Sequence, residues 1–419
     1  MRLRLLLRLL KEKLRTVKYR KHLTTIILLA LSIYTLYTGI IAINKSNMYV
    51  SDEIYYVTAA KNIGIKVFGI NVTKTPYPEY KGLNLKENLN LEHPPLAKYI
   101  IFISMLVLGD TYFSWRIPGV VLHTLMIFLV FLTVKKLGDE VSAIVSSFIV
   151  AFDPILRNLS YIAMLDIYVA FFLTASFTAL IYGRKTLAFI LYGLALASKY
   201  TALFALPAFL IILRSYHNEK MWKIPLYVLL AGIVYAATWI PFITYFANEK
   251  SILFYGFQRV YEEHVFAMKW HLSSKGGHSY SSPPWGWLLN SKVWPIYGGM
   301  SVHSNIYMNI VFAILPLMYG LFSRKIDSKR FYPHYWFLSV IAGFILIYEL
   351  GSTTQFIFYA ATYEPSIAIG VGTLLFPSID GLSEKISEWR HRGRRGQSHS
   401  QVCKLGYYAI LQYSFPLSF

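Results

Sequence analysis

Ser51-Asp52-Glu53-Ile54-Tyr55-Tyr56 stands just beyond the apolar block 23–43, and Glu92-His93-Pro94-Pro95-Leu96-Ala97-Lys98-Tyr99 stands at the head of another. Carboxylates, a histidine and a lysine at a bilayer boundary are costly to keep there, and by default they mark a functional site. That reading requires the apolar blocks to be membrane spans, and the composition agrees. The 419-residue chain is 55% hydrophobic and 17% aromatic, with only 15% charged residues. Its apolar residues fall in long runs, so the class is an all-α polytopic membrane protein. The single cysteine, Cys403, excludes an internal disulfide and a cysteine-built metal cage. The net charge of +20 comes from Lys and Arg clustered beside the apolar blocks. Positive-inside topology with contact to anionic membrane lipids accounts for it, and no nucleic-acid partner is expected.

A crossing needs about 20 apolar residues at about 1.5 Å rise each. Blocks 23–43, 117–134, 224–246, 304–322, 337–350 and 354–376 are the clear candidates. Residues 96–109 reach only about 21 Å as a helix. Laid along the interface, they put Lys135-Lys136 inside and Asp166 on the side of Asp52. Segments 141–152 and 167–182 read as two crossings joined by an external connection from Asp153 to Asp166. Block 186–213 is interrupted by Ser198-Lys199-Tyr200, and as one helix it would run about 42 Å with Lys199 near its centre. Two short helices meeting at Lys199 place that charge at the outer surface instead. The sum is about ten transmembrane helices with external amphipathic juxtamembrane helices and both termini cytoplasmic. A basic tail, 1–22, precedes a membrane domain, 23–377. A second basic tail, 378–419, is expected to be loosely ordered beyond Ser383.

The external segments 44–116 and 247–303 then hold the polar clusters. Asp52 and Glu53 open the first, Glu92, His93 and Lys98 bracket its Pro-Pro turn, and Arg116 begins the next span. Asp166 and Lys199 reach the same face. The second segment carries Glu262, Glu263, His264, His271, His278 and the run Ser281-Ser282-Pro283-Pro284-Trp285-Gly286-Trp287. Each has a bland reading. An Asp at a span boundary caps a helix. Trp285 and Trp287 fit an aromatic belt, His271 and His278 fit a solvated loop, and Lys199 can snorkel. Convergence on one face favours a site. The midspan regions are nearly free of charge, which argues against a transporter or flippase, whose sites sit near the midplane.

At these residues the chain resembles the dolichyl-phosphate-mannose–protein mannosyltransferases, glycosyltransferase family 39, which have the membrane C-type glycosyltransferase fold. Asp52-Glu53 looks like the family's Asp-Glu in the first external loop, and His93 to Lys98 resembles its His-Pro-Pro-Leu-Gly-Lys run. Arg116-Ile117-Pro118, Met164-Leu165-Asp166, Ser198-Lys199-Tyr200, Tyr280 to Trp287 and Phe358-Tyr359 to Pro365 are similar to further motifs, in order, over roughly 22–377. There are departures. Ile-Tyr-Tyr follows Glu53 where eukaryotic members have His-Phe. The segment 247–303 is too short for their inserted β-trefoil, and Glu364 interrupts the last motif. Glu92-His93 is also similar to the lipid A aminoarabinose transferases, where an acidic residue in that loop helps hold a metal.

The resemblance implies transfer of mannose from a polyprenyl (dolichyl) phosphate to Ser/Thr hydroxyls of exported polypeptides, with inversion, on the extracytoplasmic face. A hydroxyl needs a base in the transition state, and Asp52 is expected to be that base, with Glu53 contacting acceptor or sugar. The leaving phosphate needs cations rather than an acid, and Lys199, Arg116, His93 and Lys98 are the candidates. Asp166, Glu92, His278, Trp285 and Trp287 are expected to bind substrate. No cofactor is implied, although a divalent metal on Glu92 and His271 stays open. A transferase acting on a glycolipid or polysaccharide is the alternative activity. The topology is testable: impermeant maleimide should label single cysteines at positions 71 and 275 from outside and at 135 and 220 only after permeabilisation. Labelling of 135 and 71 from one side would overturn the threading.

Overall fold

The computed structural model describes residues 17–79, 82–275, 277–323 and 325–397. Most of the N-terminal basic run and Cys403 lie outside the described residues. The chain is built from helices. α1 (Val17–Ile43) leads to an external pair, α2 (Glu53–Lys66) and α3 (Leu96–Leu108). Next come α4 (Tyr112–Leu137), α5 (Glu140–Phe152), the short α6 (Pro154–Leu159) and α7 (Leu165–Ile181). Then follow α8 (Lys185–Ser198), a 3-10 turn (Tyr200–Ala205) and α9 (Leu206–His217). α10 (Ile224–Ala237) and α11 (Ile240–Lys250) precede α12 (Leu253–Ser273). The short α13 (Pro284–Trp287) is followed by α14 (Ile306–Phe322), α15 (Tyr332–Glu349), a 3-10 turn (Ile357–Thr362) and α16 (Glu364–Gln397). Among the described residues, β structure is one antiparallel pair, β1 (Trp294–Pro295) with β2 (Ser301–Val302), in register Trp294 to Val302. The core gathers round α7, which is buried along almost its whole length and packs on α4 and α8.

Several sequence expectations change. Among the described residues five helices qualify as spans by length and apolarity, and the bent pair Met221–Ala237 and Ile240–Lys250 makes a sixth. The figure of ten is reached only by adding Glu140–Phe152, Leu165–Ile181, Lys185–Ser198 and Ile306–Phe322, and by leaving Leu96–Leu108 along the interface. Block 224–246 is broken by 49° at Thr238-Trp239. Pro241, in the first turn of α11, cannot donate to a carbonyl of the preceding turn and clashes with a continuing helix. Block 354–376 is a 3-10 turn followed by a new helix. That helix continues past Ser383 to Gln397, because its Glu/Lys/Arg-rich end has good intrinsic helix propensity. The break at Lys199 is as expected: the residue is extended (φ −163°, ψ 143°) between α8 and the 3-10 turn.

Among the described residues three prolines sit inside helices, and each frees the carbonyl four residues back. Every one of those carbonyls is covered by a side chain from another helix or turn. Ser104 Oγ donates to Ser114 O, opposite Pro118, at 2.6 Å. Arg330 Nη1 donates to Thr373 O, opposite Pro377, at 2.7 Å. His334 Nε2 lies 3.3 Å from Phe312 O, opposite Pro316. In a bilayer no water would do this work, so such partners are required. Elsewhere, close helix contact depends on absent side chains. A Cβ on Gly193 of α8 would lie 2.6 Å from Ala231 O of α10, so only glycine allows that approach.

The external segment is held by two fully buried ion pairs. Arg116 donates Nε to Glu53 Oε1 at 2.7 Å and Nη2 to Glu53 Oε2 at 2.8 Å. Its remaining N–H groups go to Ile43 O (3.1 Å), Ser46 O (2.7 Å) and Met48 O (2.7 Å). Glu53 also accepts from Val50 N (2.9 Å) and Ala163 N (2.8 Å). The guanidinium has five N–H groups, and all are used. Thus one pair ties the end of α1, the start of α2, α4 and the approach to α7. The second pair, Lys61 Nζ to Asp110 Oδ2 at 2.9 Å, clamps α2 to the turn before α4. Asp110 accepts in addition from Trp115 Nε1, Lys74 N and Thr75 N.

Removing one partner of such a buried pair should be severe. Arg116→Met is expected to destabilise the folded protein by about 3–5 kcal/mol, because it leaves Glu53 charged and unpaired. Arg116→Lys should fail nearly as badly, since an ammonium cannot reproduce the planar five-donor fork. The Glu53→Gln, Arg116→Met double variant should recover part of the loss in thermal unfolding in detergent. An Arg116→Met variant that melts like the parent would refute this account.

Candidate active site

A cavity of about 1010 Å³ opens on the face where α2, the loop 83–93, α12 and the turn 352–359 meet. That is ample for a sugar with part of an acceptor. Asp52, Tyr56, His93 and Lys199 line it, with Glu92, Trp270, His271, His278, Trp294 and Tyr359. The loop 83–93 is pinned by buried donors. Asn62 Nδ2 donates to Leu85 O (2.7 Å) and Asn88 O (2.6 Å), and Lys98 Nζ donates to Asn90 O and to His93 O (2.9 Å).

Asp52 precedes α2, yet its side chain makes no capping bond. The carboxylate is left to the cavity, half-buried, with Tyr56 OH donating to Oδ2 at 3.3 Å. Burial pushes the carboxyl up from 3.8 to about 6, against the pull of the Lys199 ammonium, with the Asp166 carboxylate adding to the rise. Lys199 reaches the same space from the break between α8 and the 3-10 turn. Its Nζ donates to both Asp166 oxygens, at 2.8 and 2.9 Å, and lies 4.4 Å from the Tyr359 ring centroid. An ammonium has three N–H donors, so one remains for a ligand.

The other expected cations are not disposed as the sequence suggested. Arg116 does not line the cavity, and its N–H groups are all used. Lys98 is buried against the carbonyls of the 83–93 loop, and burial pushes its ammonium down to about 7 against the pull of Glu92. His93 does line the cavity. Burial, helped by His271, Lys199 and Lys98, holds its imidazole well below the ordinary range, so it meets a ligand as a neutral ring. Glu53 is buried with Arg116 and touches no open space. Asp166 serves Lys199 from behind the wall.

The aromatic expectations also change. Trp287 is buried, donates Nε1 to Ser282 O at 3.2 Å, and packs on Phe344 and Tyr359. Trp285 is half-exposed beside Tyr348. Neither lines the cavity. Trp270 and Trp294 do so instead, and Trp294 is stacked on His278 at 5.5 Å and edge-on to Phe356 and Phe358. Tyr56 and Trp294 were not singled out in the sequence; an aromatic residue in the second external segment was the available signal for Trp294. Glu92 and His271, the residues left open for a metal, meet through a backbone carbonyl. His271 Nε2 lies 2.9 Å from the Glu92 backbone carbonyl, and Glu92 Oε1 accepts from Asn90 Nδ2 at 2.6 Å. Among the described residues no group of three or more His, Cys, Asp or Glu side chains converges.

Comparison with known proteins bears on the fold and the family. The chain resembles the structure of ArnT from Cupriavidus metallidurans bound to undecaprenyl phosphate, at 13% identity and TM-score 0.57, covering 84% of this chain and 60% of that one. It also resembles the oligosaccharyltransferase AglB of Archaeoglobus fulgidus, solved with an inhibitory peptide and a dolichol-phosphate. There the identity is 13% and the TM-score 0.50, over 94% of this chain and 54% of that one. The chain is therefore a membrane protein with the C-type glycosyltransferase fold. Within that class, residues 92–245 match the family described as dolichyl-phosphate-mannose-protein mannosyltransferase, the family that the motifs resemble. A polyprenol-phosphate-mannose–protein mannosyltransferase of Corynebacterium glutamicum is 30% identical over 160 residues, 38% of this chain. That match spans 29% of the curated relative's length.

The Asp52 shift has a sign that can be measured. The folded state holds the proton more tightly than the unfolded chain, so stability falls as pH rises from about 4 through about 6. The loss is up to about 3 kcal/mol. Asp52→Asn should therefore raise the thermal midpoint at pH 8 and leave it nearly unchanged at pH 4. Equal effects at both pH values would remove Asp52 from this role.

Proposed function

We propose that the protein transfers mannose from a polyprenyl phosphate donor to Ser/Thr hydroxyls of exported polypeptides, with inversion. The observation that carries this reading is the pairing in one cavity of a half-buried carboxylate, Asp52, with an ammonium that keeps one N–H free, Lys199. The family match over 92–245 supports the choice of donor and sugar, because it includes the His93 to Lys98, Arg116, Asp166 and Lys199 motifs. The name of the Corynebacterium relative supports a protein acceptor.

In this reading Asp52 accepts the acceptor hydroxyl's proton as the oxygen attacks the anomeric carbon. A carboxylate titrating near 6 is mostly ionised at neutral pH and still a better base than an ordinary Asp. The bond to the phosphate breaks on the opposite face, and the phosphate monoester leaves as an anion. Lys199 stabilises that anion with its third N–H, while Asp166 fixes the ammonium's direction. Neutral His93 adds a hydrogen bond without charge. The prenyl chain stays in lipid between helices. Glu53 and Arg116 hold the base in place and do not take part in the chemistry.

The test is label transfer from radiolabelled polyprenyl-phosphate mannose to a Ser/Thr peptide by the purified protein in lipid nanodiscs, with product anomeric configuration read by glycosidase digestion. Asp52→Asn should lower turnover by about 10²- to 10⁴-fold while donor binding persists. Lys199→Met should weaken donor binding by about 1.5–3 kcal/mol. Label appearing in lipid but never in peptide would shift the acceptor to a glycolipid. A fully active Asp52→Asn would overturn the assignment of the base.

A further inference from the structure

Asp52 is aimed into the cavity by a backbone turn that is strained at the residue before it. Val50 O accepts from Glu53 N at 3.2 Å, closing a four-residue turn with Ser51 and Asp52 at its centre. Ser51 has φ +55°, the left-handed region, at a turn position where glycine is the usual occupant. A serine there persists only if its surroundings hold it, and such outliers gather at functional sites. One side of the turn is held by Glu53, through Arg116, Val50 N and Ala163 N. The other side is held by the Ser51 hydroxyl. Its Oγ accepts from Trp294 Nε1 at 3.1 Å and lies 3.8 Å from Met164 Sδ. Trp294 belongs to the distant second external segment and is itself a wall of the cavity, stacked on His278.

We propose that Trp294, through its hydrogen bond to Ser51, is a positioning residue that holds the strained turn and so fixes the direction of the Asp52 carboxylate. The function of Trp294 is then two-sided. Its ring closes the cavity beside His278 and Phe356, and its N–H fixes the residue next to the base. The second external segment is thereby tied to the base in the first, so a disturbance of the 278–294 wall reaches Asp52 without touching it. Tyr297 OH ties the second segment also to the end of α1 and to the 153–166 connection, lying 2.9 Å from Ala42 O and 3.1 Å from Tyr161 O. It confines the movement of this hairpin and leaves the Trp294 bond as the contact next to Asp52.

The proposal rests on the reading of Asp52 as the base, and two measurements separate the two. Trp294→Phe keeps an aromatic ring against His278, Phe356 and Phe358 but removes the donor. Ser51→Ala removes the acceptor and keeps the Cβ in the strained region, whereas Ser51→Gly removes the acceptor and relieves the strain. In the mannosyl-transfer assay, Trp294→Phe and Ser51→Ala should each lower kcat at least about tenfold, as misplacement of a catalytic group does, with the donor KM changed less than about threefold. Together they should do no more than either alone, and Ser51→Gly should recover turnover relative to Ser51→Ala. The second measurement needs no turnover: infrared titration of the carboxyl band that disappears in Asp52→Asn. Its midpoint, about 6 in the parent, should move toward the ordinary carboxylate value in Trp294→Phe and Ser51→Ala as the side chain gains water. If no variant or parent transfers mannose but the infrared shift appears, the positioning stands and the functional reading fails. An unchanged midpoint, additive effects, or a loss confined to KM would overturn the proposal.

Discussion

The Glu53–Arg116 pair is the contact on which the external half of the molecule depends. It is costly to bury two charges, and the cost is offset only when every donor and acceptor is satisfied. Here the guanidinium takes three backbone carbonyls from the end of α1 and the segment after it, the carboxylate takes two backbone N–H groups, and the two groups bridge each other twice. The backbone between Ile43 and Glu53 has no regular structure to satisfy its own carbonyls, so the arginine does it. The result is a rigid frame in which the residue beside Glu53 can be left without a capping bond and face open space. Adjacent carboxylates thus acquire opposite roles: Glu53 is spent on the fold and Asp52 is available for chemistry.

The same economy of charge shapes the cavity. Lys61 is taken by Asp110, Arg116 by Glu53, and Lys98 by the carbonyls of the 83–93 loop. Lys199 alone among these cations reaches the cavity with an N–H to spare, and its Asp166 partner fixes where that N–H points. In the proposed reading, a leaving phosphate would benefit from such preorganisation, since a fixed donor needs no reorientation during the reaction. The cavity side of Asp52 is equally economical. A partly buried carboxylate with one long hydrogen bond from Tyr56 remains basic, whereas a carboxylate with several strong donors would not.

Much of this was legible in the chain. The apolar blocks gave the helices, and the need to keep a charge out of the bilayer centre located the break at Lys199. The motif run from Asp52-Glu53 to Lys199 pointed to the family and to those two end residues. What could not be read was the direction of each side chain. Glu53, Arg116 and Lys98 carry the same charges whether they face a ligand or one another, and only tertiary placement decides. Lys61 and Asp110 drew no attention because a buried pair distant in sequence leaves no local pattern. Trp285 and Trp287 sit in a recognisable motif, yet Trp287 packs behind the wall and Trp285 faces away from it, while Trp294, outside the motif, forms the surface. The shorter helices were misjudged for a different reason: Pro241 and the turn at 357–362 interrupt runs that hydropathy alone sees as continuous.

The carbonyls freed by the internal prolines have a consequence for how the chain enters the bilayer. Ser104 precedes Ser114, and Arg330 precedes Thr373, so in both cases the covering donor has already been synthesised when the open carbonyl emerges. Phe312 is the reverse case, because its partner His334 belongs to the next helix. A lone α14 in lipid would expose an unsatisfied backbone oxygen, which the hydrocarbon cannot solvate. That oxygen meets its partner only once α15 has been made, so α14 is completed by a helix that follows it in the chain.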